Sequence, residues 1–413
     1  MFFGDRMTFF NRFIWLFCTS FILVSGVFYT FKFKFVQFRF PSIFKSISSS
    51  SFGVLVTSLA GRIGVGSIAG VSLAIYIGGA GSIFWLWFST LFCSIITYVE
   101  VLLGLRYRVS VHNVYYSGPS YYIRDGLNNR VLSYIYSVLI IFSYTGCFLS
   151  IQSNTITKSL ISLFPFNKFV VGLCICVVTF FCIVGGFKKI VSVCMKLVPL
   201  MSIIYILSGV FVLIRNYSLI IPVFLNIFKS AFNFRSFFSS FIPMFIIGIQ
   251  RGIFSNEAGI GTSSIVCSDG DDSIAFTQIF GVYFTSFVIC SVTAIIILFS
   301  NYSGLVLGDL NGIELASYAF NYHFGSFGIY ILLVSIILFS FSTIITGYYY
   351  GESCFMSLFS NILYVYILRG ATLVLLFLGC FVSSSFLWNV VDVFVGILVL
   401  INLYSMWKLK DEI

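Results

Sequence analysis

The stretch Gly248-Ile-Gln-Arg-Gly-Ile-Phe-Ser-Asn-Glu-Ala-Gly-Ile-Gly261 decides the fold. It lies inside an apolar run at about 241–265, yet carries Arg251, Asn256, Glu257 and four glycines. If that run crosses a bilayer, each charge at its centre costs ~2.5–3.5 kcal/mol on insertion scales. Arginine, glutamate and glycine together at that depth fit an unwound segment lining a polar cavity, where loosened backbone is tolerated.

The rest of the chain supplies the bilayer. Of 413 residues, 59% are hydrophobic and only 9% charged, with a mean hydropathy of +1.07. A soluble domain is about a quarter charged, and this composition cannot cover a soluble globule. Apolar runs fall at about 12–31, 54–77, 82–104, 131–157, 168–186, 190–214, 241–265, 275–299, 326–350, 366–383 and 386–407. The reading is an all-α polytopic membrane protein of about eleven spans. The first run is too long for a signal-peptide core and lacks a small-residue cleavage site, so it is a helix.

The net charge of +10 sets topology and is no sign of nucleic-acid binding. With eleven spans, one side holds 14 basic residues, among them Lys32, Lys34, Arg39, Lys45, Lys188, Lys189, Lys196, Lys408 and Lys410. The other holds 7: Arg6, Arg12, Lys158, Lys168, Arg215, Lys229 and Arg235. That bias places the C-terminus in the cytoplasm and the N-terminus outside a cell membrane. The sequons at Asn216 and Asn301 then fall outside, and the segment Lys32–Ser51, alternating Lys and Phe, lies along the inner membrane surface. The eleven cysteines include no CxxC pair and read as small core hydrophobes. His112 and His323 share no segment, which excludes a histidine-based metal site. No nucleophile and base cluster in one segment, which argues against an enzyme.

A second run has the same irregularity: Ser58-Leu-Ala-Gly-Arg-Ile-Gly-Val-Gly-Ser-Ile-Ala-Gly70. The two align, with Arg62 on Arg251, Ser67 on Asn256, Ala69 on Ala258 and Gly70 on Gly259. Counted from the second span, these runs open two five-helix halves. The odd number inverts the second half. The organisation expected is therefore an N-terminal helix and surface segment (1–51), a first repeat (52–214), a second repeat (215–407) and a tail (408–413). Interrupted helices in matching positions of inverted halves point to a secondary transporter's midplane site. Helix-packing glycines of the GxxxG kind are the alternative, and they leave the two arginines and the matched order unexplained. A dinucleotide-binding reading of Gly64-Val-Gly66 fails for want of a strand and a soluble βαβ unit.

At these residues the chain resembles the alanine/glycine:cation symporter family. Five stretches carry the likeness: Gly61–Val71 with Gly78–Trp87; Gly118–Ile123; Gly185–Ile190 leading to Pro199; Arg251–Gly261; and Phe341–Ile345 with Tyr348–Glu352. The resemblance implies a LeuT-like 5+5 inverted repeat with one extra N-terminal helix and the first and sixth core helices interrupted. It implies sodium-coupled uptake of small neutral amino acids of the alanine, glycine or D-alanine class, with no other cofactor and a monomer as the working unit. A larger zwitterion, or proton coupling, stays open as the alternative.

The family pattern, carried residue by residue, implies a sodium site at the carbonyls of Ala60, Ile63 and Phe339 and the hydroxyls of Ser342 and Thr343. Oxygen donors suit a hard cation. The substrate carboxylate would meet amides around Gly64, Gly66 and Ser67. Its ammonium group would meet carbonyls around Phe254, Ser255 and Asn256. Thr343 and Gly347 would border the side-chain pocket. Gln152 and Asn154 would line the outer vestibule, or else bond between helices. Two positions depart from the pattern: Ser67 replaces an amide residue and Gly347 a bulky Trp. The second departure predicts an enlarged pocket for larger substrates, unless Tyr348 or a nearby Phe moves in. Among the remaining charges, Glu257 and Arg251 are expected to pair within the broken helix, with Arg62 nearby. Glu100 and Glu352 are expected at the cytoplasmic interface, and Asp269-Gly-Asp-Asp272 in a solvated loop.

Overall fold

The computed structural model describes residues 2–111, 114–233, 240–300, 312–359 and 363–413. His112, Arg235 and Asn301 lie outside these residues. Among the described residues, seven helices are long and apolar enough to cross a bilayer in one piece: α1 (Phe2–Lys32, apolar over Phe10–Lys32), α5 (Gly81–Arg106), Arg130–Ile161, α10 (Gly186–Arg215), Ser273–Leu298, α17 (Ser326–Leu358) and α19 (Ser384–Lys408). The helix Arg130–Ile161 is α7 (Arg130–Ile140) and α8 (Leu149–Ile161) joined by π-helical turns at Ile141–Phe148. The helix Ser273–Leu298 is α14 (Ser273–Tyr283) and α15 (Ser291–Leu298) joined by π-helical turns at Phe284–Cys290.

The remaining four apolar runs are not continuous long helices. Two are the interrupted ones. The first is α3 (Ser49–Arg62), a π-helical turn at Gly66–Gly70, and α4 (Val71–Gly78). The second is α12 (Ile242–Asn256), a break, and α13 (Thr262–Val266). The other two are shorter helices, α9 (Lys168–Ile183, 16 residues) and α18 (Leu363–Gly379, 17 residues). Short helices α2 (Phe40–Ser46), α6 (Pro119–Asp125), α11 (Ile220–Ala231) and α16 (Gly312–Phe324) fill connections. The chain is not wholly α-helical: Val109–Val111 (β1) and Val114–Tyr116 (β2) pair as an antiparallel hairpin, with Val109 opposite Tyr116.

Local chemistry fixes the boundaries. Ser48 and Ser51 form a reciprocal capping box at the start of α3, satisfying donors a helix start leaves open. Asn129 and Asn167 cap α7 and α9. The long glycine run of α12 has two separate uses. Gly248 and Gly252, at GxxxG spacing, bring α12 onto α5; a methyl group at Gly252 would stand 2.6 Å from Ser89 Oγ. Gly259 (φ 82°) and Gly261 (φ 102°) instead take backbone angles that side chains disfavour, and these make the break.

The N-terminal helix α1 packs along α19. Trp15 Nε1 donates to the Asp392 carbonyl (3.0 Å), Trp407 Nε1 donates to Ser25 Oγ (2.7 Å), and Phe28 stacks on Trp407 at 4.6 Å. At the same end of the molecule Lys32 bonds the Lys410 carbonyl, Arg106 pairs with Glu412, and Arg108 donates to the Gly270 carbonyl (2.8 Å). Four of the basic residues read as one side of the membrane, Lys32, Arg106, Arg108 and Lys410, thus stand near the C-terminal tail. The run Asp269–Asp272 lies here too, with Asp271 exposed and its carboxyl held below the usual range by bonds from Ser273.

Candidate functional site

The two breaks face each other. Ile63 ends α3 with ψ 72°, outside the helical range, so the carbonyls of the last turn lose their partners four residues on. The freed amide of Val65 donates to Gln152 Oε1 on α8 (3.2 Å). Ser67 Oγ lies 3.0 Å from Ser255 Oγ on the other broken helix, and Thr293 Oγ1 donates to the Ser67 carbonyl (2.8 Å). Glycine is required at this crossing. A methyl at Gly64 would stand 2.5 Å from Thr343 Oγ1, and one at Gly66 would stand 3.0 Å from the Phe254 ring.

Beside the first break, oxygens converge. Thr343 Oγ1 lies 3.0 Å from the Ala60 carbonyl and 2.9 Å from that of Phe339. Ser342 Oγ lies 3.3 and 3.0 Å from the same two carbonyls. All four residues are buried. In this arrangement the hydroxyls donate to the carbonyls. A cation would take the same oxygens once the hydroxyls turn their lone pairs inward. Neutral oxygens of this kind fit a sodium-sized hard ion, and no group of three His, Cys, Asp or Glu side chains competes for metal among the described residues.

The structure therefore draws Gly64, Gly66, Ser67, Gln152, Phe254, Ser255 and Thr343 together, with Ala60, Phe339 and Ser342 alongside and Ile63 at the end of α3. The Asn256 side chain accepts from Ser286, which leaves its backbone carbonyl, the group expected to meet substrate, a separate matter. Gly347, one turn beyond Thr343, does not open a larger pocket. Leu149 fills the place of a side chain there, 2.7 Å from where a methyl would be, with the Tyr144 ring at 3.5 Å. Asn154 bonds between helices: it donates to the Gly379 and Val382 carbonyls (2.9 and 2.7 Å) and accepts from Ser384 (2.7 Å).

The charges near the breaks do not pair as the sequence suggested. Arg251 forms a two-pronged ion pair with Asp392 on α19 (2.6 and 3.1 Å), with side chains only 3% and 4% exposed. Its guanidinium also sits over Phe254 and Trp388, at 5.6 and 5.3 Å from the ring centres. Glu257 takes the left-handed conformation (φ 54°) and accepts from three hydroxyls: Tyr144 (3.1 Å), Tyr350 (3.0 Å) and Thr262 (3.0 Å). Arg62 donates to Ser263 (2.8 Å) and to the Gln278 side chain (3.0 Å) and carbonyl (3.3 Å). A buried charge keeps its charge only with such partners. Glu100 is fully buried within the protein and accepts from Asn402 (2.7 Å), whose amide also donates to the Gly259 carbonyl (2.9 Å). Glu352 is buried as well, bonded by Tyr348, with Arg369 at 3.9 Å. From the sequence Asp392 reads only as a charge near a helix end, and nothing there names Leu149, because each acts across more than a hundred residues of chain.

Two interrupted helices crossing at a buried polar centre, with an oxygen cluster at one break, define the class of LeuT-fold secondary transporters. The comparisons agree. The structure matches that of MhsT in complex with L-phenylalanine with a TM-score of 0.63 at 13% identity, covering 88% of this chain and 89% of that one. The model of the sodium:alanine symporter family matches residues 2–413. The amino-acid carrier protein AlsT of Bacillus subtilis is 35% identical over 424 residues, covering 99% of this chain and 90% of AlsT. The sodium/alanine symporter AgcS of Methanococcus maripaludis is 31% identical over 429 residues, covering 98% and 94%. The chain belongs to the sodium:alanine symporter family: it is a multi-pass transporter of amino acids, not an enzyme.

Proposed function

We propose that this carrier couples entry of sodium to entry of a small neutral amino acid, of the alanine, glycine or D-alanine class. The observation that supports this most is the crossing of the two breaks, where Ser67 meets Ser255 at 3.0 Å beside the four oxygens of Ala60, Phe339, Ser342 and Thr343. Sodium takes those oxygens together with the Ile63 carbonyl. The substrate carboxylate takes backbone amides at Gly64, Gly66 and Ser67, and its ammonium group takes carbonyls at Phe254, Ser255 and Asn256. Substrate parts Ser67 from Ser255 when it enters. Gln152 holds the Val65 amide and so fixes the angle of the first break. Thr343 touches both places, since it borders Gly64 on one side and Ala60 on the other. Filling the sodium site therefore orders the strand of backbone that meets substrate.

The pair Arg251–Asp392, with Phe254 and Trp388 stacked against it, lies one to two turns from the break and closes the site on that side. Leu149 keeps the side-chain pocket short, which favours a small substrate over the larger one suggested by Gly347. On this reading this end and the C-terminus face the cytoplasm and the N-terminus faces outside; the basic residues around Lys32, Arg106 and Lys410 support it through the positive-inside rule. Alternating access then consists of one group of helices rocking against the other around the fixed site. One sodium crossing ~100 mV contributes ~2.3 kcal/mol. A tenfold gradient adds ~1.4 kcal/mol, enough together for roughly 500-fold accumulation. The protein acts as a monomer. The test is uptake of labelled alanine, glycine and serine into liposomes with and without an inward sodium gradient. Sodium-dependent accumulation of any of them is expected; no uptake of all three sinks the substrate assignment.

A further inference from the structure

The elbow between α1 and α3 has features that the two breaks do not explain. After Lys32 the backbone reverses through two non-glycine residues in the left-handed region, Lys34 (φ 50°) and Phe35 (φ 57°). A short turn (Val36–Phe38) and α2 follow, the latter with Pro41 in its first turn. The axis of α2 stands at 103° to that of α3. Since α3 runs into the membrane, α2 lies near the plane of its surface.

The elbow is covered on one side only. Val36, Gln37 and Ile43 are buried; the Tyr283 hydroxyl of α14 donates to the Gln37 carbonyl (2.9 Å), and Phe44 meets Phe280 at 6.0 Å. Even so, Phe31, Phe35, Phe38, Phe40 and Phe44 remain 43–67% exposed. Lys34, Arg39 and Lys45 are exposed among them. Among the described residues none of the three forms an ion pair with a carboxylate. Arg39 donates to the Lys34 carbonyl at 3.2 Å. Acidic groups stand close by: Asp271 and Asp272, which precede α14, and Glu412 of the C-terminal tail line one cavity with Phe33, while Lys32 adds a further positive charge at the end of α1. Exposed rings with cations between them, beside a helix that enters the membrane, match the chemistry of an anionic phospholipid.

We propose that Lys34, Arg39 and Lys45, with Phe35, Phe38 and Phe44, form a binding site for an anionic phospholipid, and that the bound lipid fixes the base of α3. The mechanical link is short. Ser51 Oγ, inside the capping box of α3, donates to the Ser46 carbonyl at the end of α2 (2.7 Å). A displacement of α2 is thereby passed to the helix that carries Ala60 and the first break. This second half rests on the transport reading above; the lipid site does not.

The test is competition. The purified full chain, in mild detergent, is given equal amounts of phosphatidylglycerol and phosphatidylcholine, and retained lipid is counted by native mass spectrometry. Phosphatidylglycerol should be retained in preference, and Lys34→Gln/Arg39→Gln/Lys45→Gln should cut its retention at least tenfold, since each basic group near an anionic surface is worth ~5-fold. The variant Lys188→Gln/Lys189→Gln/Lys196→Gln removes equal charge from other exposed positions and should retain lipid normally. Equal retention of the two lipids, or equal loss in both triple variants, overturns the site. If the elbow variant fails to fold, salt decides: retention by the native chain should fall steeply between 50 and 500 mM, roughly as screening does, and retention indifferent to salt overturns the site. In vesicles, sodium-driven alanine uptake should rise with phosphatidylglycerol content in the native chain and be flat in the elbow variant. The same rise in both overturns the link to α3. No uptake in any lipid condemns the transport reading and leaves the retention result to judge the site.

Discussion

Replacing Asp392 by asparagine leaves the guanidinium of Arg251 buried without its counter-ion. The pair is 3% and 4% exposed, so solvent screening does not soften the loss. Removing one partner of such a pair costs ~3–5 kcal/mol. Some of this is offset, because asparagine keeps one acceptor oxygen and the rings of Phe254 and Trp388 stay over the guanidinium, worth ~1 kcal/mol. The expectation is a loss of ~2–4 kcal/mol in stability, seen as a fall on the order of 3–6 °C in melting temperature for a chain of this size. A thiol-reactive dye is a suitable probe, because most cysteines are buried and react only on unfolding. The double variant Arg251→Met/Asp392→Leu removes both charges and keeps the volume, so it should recover most of the lost stability. Its uptake should nevertheless fall, since nothing charged then holds α12 to α19. If Asp392→Asn melts with the native protein, or the double variant melts as low as the single one, the pair does not carry the burden assigned to it.

Other expectations follow from the same geometry. Ser342→Ala and Thr343→Ala each remove one cation ligand; each should raise the sodium concentration for half-maximal uptake about tenfold, ~1.4 kcal/mol, and a change confined to alanine affinity would contradict the assignment. Gly64→Ala puts a methyl 2.5 Å from Thr343 Oγ1; the protein should fold and reach the membrane yet lose uptake, and normal uptake would show that the crossing opens more widely than described. Leu149→Ala empties the space beside Gly347 and should extend uptake to larger neutral amino acids such as leucine. An unchanged substrate range would mean that Leu149 does not bound the pocket.

How much was legible in the sequence differs from residue to residue. Both breaks were, because arginine and glycine at membrane depth have few other uses, and each lies where its run predicted. Alternating Lys and Phe marked Lys32–Ser51 as neither a spanning helix nor a soluble loop, but its sharp bend was not legible. Partners were not. Arg251 and Glu257 are neighbours along the chain, and pairing them was the economical guess. An α-helix carries residues six apart to different sides, and the left-handed turn at Glu257 swings its carboxylate toward Tyr144 and Tyr350. Gly347 misled for a related reason: a missing side chain shows where space could be, and only packing shows that Leu149 has filled it. The hairpin Val109–Tyr116 was passed over because its strands are three residues each, too short for an alternating pattern to stand out.

The three hydroxyls on Glu257 bear on how freely the carrier can turn over. Arginine and aspartate locked in a fork have one good arrangement, and separating them leaves two bare ions. A carboxylate ringed by tyrosine, tyrosine and threonine behaves more like a greased swivel. Each hydroxyl bond to a charged group is worth ~1.5–3 kcal/mol, so loss of one leaves the carboxylate still held by the other two. Tyr144 and Tyr350 stand on unbroken spans, while Glu257 and Thr262 flank the second break. A helix pivoting at this point can release one contact at a time, so the cost of motion arrives in small steps and never as an unshielded charge.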